Sequence, residues 1–301
     1  MSDQTLLKPV IERALAGEAL DGAGRAALFH TADVLTLGMA ADELRRRRHG
    51  AFVTFVRVAD LTVDEALADS LAVAGAPGEI RIHGPADDIP RAHAAVQAVR
   101  AIAGGTSVTG FSLEQIETAA GSDRASAVRL LNGLKAAGLD AVADAAIDRL
   151  DNAAGMLDAA SEAGLPVARL GVDRIAPADR DELLDRVRAL VSVRDDLHVF
   201  APLPRRISGA APSTGYEDVR LVALARLWVP VAHIQVDWSR YGPKLAQVAL
   251  AFGADDLDAV SPLDDLSEGR RRAPLEEVLR NIRSASSEPR ERGALFTPFT
   301  R

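Results

Sequence analysis

The side chains in this sequence that could do chemistry are Asp, Arg and His residues at the ends of short apolar runs. Arg57 and Asp60, His83 and Asp87, Ser112 and Glu114, Asp144 and Asp148, Asp173 and Arg174, Arg205 and Arg206, Asp237 with Trp238 and Arg240, and Asp256 and Asp258 all sit at such ends. Arginine grips a carboxylate or phosphate through paired N–H groups, and a neighbouring carboxylate or imidazole can move a proton. The set fits an anion pocket with Asp148 and His83 as acid/base candidates. Arg57, Asp144, Asp173, Arg205, Arg206, Gln235, Asp237 and Trp238 are its ligand-contact candidates. The competing account is that acids and arginines pair with one another and that His83 is a hydrogen-bonded rim residue. Gln235 and Asp237 alternate with Ile234 and Val236, so one pair faces inward. An inward polar pair either contacts a ligand or joins a satisfied network. Asp144, Asp148 and Asp173 could share a cation, but scattered aspartates in an acidic chain rarely do, and no metal site is expected.

The runs that place these ends are 51–58, 79–84, 107–112, 140–147, 166–172, 196–204, 232–239 and 255–262. They begin roughly every 30 residues, the period of a βα unit. Helical patterns separate them, at Thr62–Ala74, Ile89–Ile102, Arg124–Ala137, Asn152–Ala163, Arg180–Val193, Tyr216–Leu227 and Gly242–Phe252. Strict alternation predicts a parallel sheet with helices outside it, and eight units predict a closed (βα)8 TIM-type barrel over 51–266. In such barrels chemistry sits at the C-terminal strand ends, which is why the run ends matter. An open doubly wound sheet is the alternative. It would want a glycine-rich turn after an early strand, and Val58-Ala-Asp-Leu-Thr has no glycine. Residues 1–50 read as an N-terminal helical extension. One of its helices ends in Arg45-Arg-Arg-Arg-His-Gly, where cations complement the helix dipole as a solvated helix end. Residues 267–301 read as a C-terminal helix at Pro274–Ile282 and a tail whose Leu295, Phe296 and Phe299 pack on the barrel.

Composition narrows the classes. The 301 residues are 48% apolar and 26% charged, with a net charge of −8. These are globular values, and the acidity argues against nucleic-acid or anionic-membrane partners. No apolar run approaches the ~18 residues of a membrane span, and the N-terminus lacks a basic segment followed by an apolar one. A cytoplasmic protein is expected. The cysteine count is 0, which removes disulfides, thiolate zinc sites, cysteine nucleophiles and all-cysteine iron–sulfur ligation from this chain's own side chains.

The stretch from His233 to Ala259, HIQVDWSRYGPKLAQVALAFGADDLDA, resembles the C-terminal motif of the radical S-adenosylmethionine (SAM) enzymes of the futalosine route to menaquinone. These are aminofutalosine synthase and the dehypoxanthine futalosine cyclase, with the related subunit of the deazaflavin cofactor synthase. Residues 33–50, DVLTLGMAADELRRRRHG, are similar to that family's lead-in helix, and 283–296, RSASSEPRERGALF, to its closing segment. The resemblance implies a barrel with a CxxxCxxC loop after the first strand, whose thiolates hold a [4Fe–4S] cluster that chelates SAM. Here Arg57-Val-Ala-Asp-Leu-Thr-Val-Asp-Glu-Ala runs straight from strand into helix, and the histidines at 30, 49, 83, 93, 198 and 233 are scattered. After the second strand, Ile82-His83-Gly84-Pro85-Ala86-Asp87 keeps one glycine of the family's adjacent pair at the SAM amino group. After the fourth, Asp144-Ala-Ala-Ile-Asp148 replaces a glycine run, with Asp148 at the family's acidic position. After the sixth, Pro202-Leu203 match, and Pro204-Arg205-Arg206 replace the polar substrate segment.

From these departures the expectation is a radical-SAM-like barrel without the iron–sulfur cluster: a non-radical accessory or ligand-binding homologue associated with menaquinone biosynthesis. The alternative is a metal-independent lyase, isomerase or hydrolase acting on an anionic small molecule through the Asp/Arg rim. No cofactor is expected, neither a [4Fe–4S] cluster nor SAM. The expected partners are a small anionic or nucleoside ligand and a related barrel in a homo- or hetero-oligomer, with no nucleic acid and no membrane.

Overall fold

The computed structural model describes residues 3–206, 213–267 and 273–296. Three helices lead in: α1 (Asp3–Leu15), α2 (Gly22–His30) and α3 (Val34–His49). Alternation then starts with β1 (Phe52–Thr62), α4 (Val63–Ala66), β2 (Glu79–His83), α5 (Ile89–Ile102), β3 (Ser107–Ser112), α6 (Leu113–Ala119) and α7 (Arg124–Ala137). It continues through β4 (Ala141–Ala146), α8 (Ala153–Ala163), β5 (Leu170–Gly171), α9 (Arg180–Val191), β6 (Val199–Phe200) and α10 (Gly215–Trp228). It closes with β7 (His233–Asp237), α11 (Trp238–Leu250), β8 (Asp256–Val260), α12 (Pro274–Ser284) and β9 (Glu288–Glu291). Among the described residues no helix is long and apolar enough to cross a membrane.

All strand pairs are parallel, in the order β2-β3-β4-β5-β6-β7-β8-β1, and β1 also pairs with β2, so the sheet closes into an eight-stranded TIM-type barrel. β1 reaches to Thr62, beyond the expected end at 58, and pairs Val58 with Glu79 through Thr62 with His83. Its first half, Phe52–Phe55, pairs with β9, a strand in the stretch that the sequence reading gave only as a tail. β5 and β6 are two residues each, far shorter than the apolar runs that predicted them.

Local chemistry sets the element ends. Asp21, Asp33, Asp88, Asp123 and Asn152 accept a hydrogen bond from the helix they cap. Thr62 and Glu65 form a reciprocal capping box that turns β1 directly into α4. α4 is four residues, not the helix to Ala74 that periodicity suggested. α11 is two helical stretches, one turn from Trp238 capped by Asp237 and then the run expected from Gly242 onward, separated by the non-helical backbone of Gly242 at φ 71°.

The lead-in helices pack on the helical layer, α3 alongside α10, and only the end of α3 reaches the N-terminal side of the strands, beside β7. The arginine run at the end of α3 is largely solvated, as expected: Arg46, Arg47 and Arg48 are exposed, and Arg46 and Arg47 pair with Asp42 and Glu43 along the helix, both at 2.7 Å. Arg45 is buried and bonds Asp42 at 2.9 Å, and Arg48 donates to the Val231 carbonyl at 2.8 Å. α3 lies close because the turn before β8 carries Gly253, φ 100°. A Cβ there would stand 2.9 Å from Ala41 Cβ and 3.0 Å from Arg226 Cβ. Gly253→Ala therefore combines a left-handed backbone with overpacking and is expected to cost about 2 kcal/mol or more. Gly104→Ala, with φ 58° and nothing within 4 Å of its new Cβ, should cost less. Urea midpoints of the two variants at constant m-value give the comparison; equal losses would contradict the close approach.

Candidate functional site

The usual interior of such a barrel is layered with branched apolar side chains. This one is charged. On β8, Asp258 receives both Arg81 Nη atoms at 3.0 and 2.8 Å and also meets Arg169. Arg81 Nε bonds Glu79 at 2.7 Å, and Glu79 accepts from Thr109 at 2.6 Å. Asp256 is held by Arg292 at 2.7 and 2.6 Å, by Thr54 and by Gln235 at 2.7 Å. Arg81 on β2 and Arg169 before β5 reach the same carboxylate on β8, and only the lumen offers that path. Burial opposes ionisation of Asp258, yet Arg169 and Arg81 hold its carboxyl far below the usual range. The carboxylates of Glu79, Asp144, Asp256 and Asp258 are each paired with a guanidinium of Arg81, Arg169, Arg205 or Arg292.

Above this network, at the C-terminal ends of the strands, lies a cavity of about 520 Å³. Its walls include His83 and Gly84 after β2, Phe111 and Ser112 of β3, Glu114 of α6, and Asp144 of β4. Arg149, Asp173, Arg205, Arg206 and Arg240 complete the charged side. The volume lies within the roughly 300–1,000 Å³ of small-molecule sites. The segment after β6 is tied to the one after β5, since Arg205 N–H donates to the Val172 carbonyl and Arg206 N–H to the Asp173 carbonyl, both at 2.8 Å. That extension aims both arginines into the mouth.

Most of the expected site residues meet here already paired. Arg205 bonds Asp144 at 3.0 and 2.8 Å and Glu114 at 2.7 Å; burial opposes its charge, but Asp144 and Glu114 raise its pKa above the ordinary arginine value. Arg206 holds Asp173 through Nε at 2.9 Å and Nη2 at 2.5 Å. Burial works against ionisation of Asp173, and the two arginines outweigh it, so its carboxyl sits below the ordinary value. Gln235 and Asp237 border a small deeper cavity with Asp258, Arg169 and Tyr241. Gln235 belongs to the lumen network, and Asp237 caps α11 by accepting from Arg240 N–H at 2.9 Å.

Three candidates stand elsewhere. Arg57 is buried and points to Glu291 of β9 at 2.6 Å, because the register of β1 shifts between Phe55 and Arg57 and β9 lies alongside. Asp148 accepts the N–H groups of Asp173 and Arg174, both at 2.7 Å, and borders a separate surface cleft with Arg174 and Arg186. It clamps the chain after β5 and does not converge with Arg57 and Arg205. Trp238 is buried in the core. His83 does reach the rim, where its Nε2 lies 2.6 Å from Asp60 Oδ1.

Sequence reasoning missed Arg149 and Arg169. Arg149 follows Asp148 in the turn after β4, and no periodicity marks it. Arg169 precedes a two-residue strand and was read as strand interior. Of the mouth cations, Arg149 and Arg240 are the least committed. Their nearest carboxylates are Asp173 at 3.8 Å and Asp237 at 3.7 Å, and their side chains are 60% and 41% exposed.

No family model matches the chain. It is 26% identical over 354 residues to aminodeoxyfutalosine synthase of Thermus thermophilus, covering 96% of this chain and 95% of that protein. It is 22% identical over 361 residues to cyclic dehypoxanthine futalosine synthase of Streptomyces coelicolor, covering 98% and 90%. A third relative is 5-amino-6-(D-ribitylamino)uracil–L-tyrosine 4-hydroxyphenyl transferase of Methanosphaerula palustris, 26% identical over 306 residues with 80% and 83% covered. Among solved structures, HydG, a maturase of the [FeFe]-hydrogenase, superposes with a TM-score of 0.63 at 13% identity over 96% of this chain and 76% of that one. Methylornithine synthase (PylB) gives 0.63 at 14% identity over 93% and 97%. These structures share the fold. The chain's homologues are radical SAM enzymes of the futalosine pathway and their relatives.

That finding corrects the expectation of a protein with no cofactor, neither cluster nor SAM: the homologues are radical SAM enzymes that use both. For SAM the cavity offers a matching feature. Gly84, φ 135°, lines it at the place the resemblance gives to the SAM amino group. For the cluster the chain's own side chains do not fit. There is no cysteine in the sequence, and at the strand end where the resemblance would put the ligand loop β1 turns into α4 through the Thr62–Glu65 capping box.

Asp258→Asn leaves Arg81 and Arg169 partly uncompensated in the lumen. It is expected to cost about 3–5 kcal/mol, the loss typical of breaking a buried ion pair. Chemical unfolding of the variant reads this directly, and a loss within experimental error would show that the lumen charges are solvated.

Proposed function

We propose that this barrel binds a small carboxylate-bearing ligand, of the amino-acid or nucleoside class, in the cavity at its C-terminal mouth, within the futalosine-type chemistry of its homologues. The observation that carries the reading is the pair Arg149 and Arg240. Both line the cavity, both are exposed, and neither is closer than 3.7 Å to a carboxylate. Every other guanidinium at the mouth is held by an acid, so these two are placed to accept an incoming anion. The wall opposite is Pro85, Ala86, Phe111 and Ala143, a surface suited to a ring or methylene stem. Arg206, bonded to Asp173 on one side, adds positive potential at the rim without having to leave its partner. The names of the relatives point the same way, since one takes L-tyrosine and others make futalosine-type nucleosides.

A second reading draws on His83. With Nε2 engaged by Asp60, its Nδ1 is available at the cavity rim, the arrangement of an oriented general base. On this reading the same ligand is converted by acid/base chemistry after binding.

Calorimetric titration with SAM, L-tyrosine and a futalosine-type nucleoside, with inorganic phosphate as a control, tests the first reading. At least one carboxylate ligand should bind at micromolar concentration. Arg149→Ala and Arg240→Ala should each weaken it about tenfold or more, about 1.4 kcal/mol per decade. Absence of binding, or unchanged affinity in the double variant, overturns it. For the second reading, His83→Gln should abolish turnover of the bound ligand and leave its affinity intact; turnover unaffected by that change removes His83 from the chemistry.

A further inference from the structure

The opposite end of the barrel carries a cluster that the mouth does not use. His233 opens β7, Asp255 immediately precedes β8, and His49 ends α3. Neighbouring parallel strands bring the first two together: Gln235 pairs with Asp256, and Asp255 Oδ1 accepts the Ile234 N–H at 2.8 Å. α3 delivers the third. Arg48 bonds the Val231 carbonyl at 2.8 Å, and His49 Nε2 lies 2.8 Å from the Ala232 carbonyl.

The two oxygens of Asp255 are used differently. Oδ1 is taken by the Ile234 N–H and by Arg226. Oδ2 faces only imidazole among the partners shown: His233 Nδ1 at 2.5 Å and His49 Nε2 at 3.5 Å. The rings are stacked, with centroids 4.8 Å apart and planes 27° from parallel, so both nitrogens look toward one carboxylate oxygen. Phe296 stacks on His233 at 3.8 Å and lies under the Arg292 guanidinium at 4.0 Å, which fixes the ring of His233.

We propose that His49, His233 and Asp255 form a binding site for a divalent transition-metal ion of the zinc type, which ties the end of α3 to the bottom of β7 and β8. The three ligand atoms lie within 4.8 Å of one another. Zinc bonds of about 2.0–2.2 Å to nitrogen and oxygen place ligand atoms roughly 3.3 Å apart around the ion. His49 and Asp255 are near that spacing at 3.5 Å, and the 2.5 Å contact of His233 needs to open by less than about 1 Å. The hydrogen bond that His49 would surrender does not orphan its acceptor, because Arg226 Nη1 also donates to the Ala232 carbonyl at 2.9 Å. Both imidazoles are 18% exposed, so the ion and a water as fourth ligand enter from solvent, while Asp255 is 2% exposed and rigidly held.

The surrounding charges set the metal class. The guanidiniums of Arg226 and Arg48 face the cluster and oppose a dication. Hard cations that bind through charge alone, such as Mg²⁺ or Ca²⁺, are disfavoured there. Zn²⁺ and its neighbours form strong imidazole bonds and are not. The site is at the N-terminal face of the strands, so its role is to hold structure rather than to act on the ligand at the mouth.

The test is titration of the EDTA-stripped, full-length protein with Zn²⁺ against a chromophoric chelator, alongside its melting temperature. One equivalent should bind at micromolar or tighter concentration. Melting should rise with free Zn²⁺, because a ligand specific to the folded state adds RT ln(1 + [L]/Kd). Mg²⁺ and Ca²⁺ should do neither. His49→Gln and His233→Gln should each weaken binding tenfold or more, and His83→Gln at the mouth should leave it unchanged. His49→Gln changes the last residue of α3 and no strand residue, so it remains informative if the strand variant fails to fold. Co²⁺ substitution should give the visible bands of a low-coordinate nitrogen–oxygen site. Binding absent from the wild type, or unchanged in both bottom-face variants, overturns the proposal.

Discussion

A carboxylate in the middle of a closed barrel has to be matched by cations that can reach it, and Asp258 is that carboxylate. Its partners Arg81 and Arg169 come from opposite walls, and through Glu79, Gln235, Asp256 and Arg292 the same network spreads over much of the lumen. An unpaired ion in this interior would cost several kcal/mol (of order), so the charges are tolerated only as a set. This requirement decides which residues above them are available. Arg205 closes the top of the set through Asp144 and Glu114, and Arg206 is held by Asp173. The least committed groups lie at the edge of the cavity: Arg149 and Arg240, with His83 beside them held through Nε2 by Asp60.

The mouth and the bottom of the barrel therefore have different characters. At the mouth, paired charges form a floor and two exposed arginines stand above it. At the bottom, one buried aspartate organises Arg226, two histidines and the backbone of β7. The lead-in helices explain the second arrangement, because without α3 the His49 ring would not be there. The homologues match nearly the whole chain, but this chain brings no thiolate to its first strand, so its own ligating atoms are imidazole nitrogens and carboxylate oxygens.

Much of the fold was legible. The alternation of apolar runs with amphipathic patterns at a βα period led to the closed parallel barrel. The periodic patterns starting at Ile89 and Arg124 gave helix starts that the structure reproduces, with Asp88 and Asp123 capping them. The misplacements have local causes. α4 ends after one turn because the chain must travel back to β2 past Gly75, packed against the Pro262 carbonyl. β9 was invisible because Glu288-Pro-Arg-Glu has no apolar alternation and is recruited by Phe52–Phe55 of β1, since β2 pairs only with Val58–Thr62. The strand-end rule found His83, Asp144, Asp173, Arg205 and Arg206 at the mouth. It failed for Arg57, where a register shift turns the side chain toward Glu291, and for Asp148, whose carboxylate bends to backbone N–H groups.

The sequence by itself determined the barrel, its lineage and the identity of the charged residues near the strand ends, because periodicity and capping act over a few residues and are written locally. Only the tertiary structure decided which of those charges are spent and which are free. Pairing in the lumen joins residues as distant as Arg81 and Asp258, and His49 meets His233 across the bottom of the barrel. Such partners are chosen by the closure of the sheet and the docking of α3, and the energy of a buried charge depends on that geometry rather than on its neighbours in the chain.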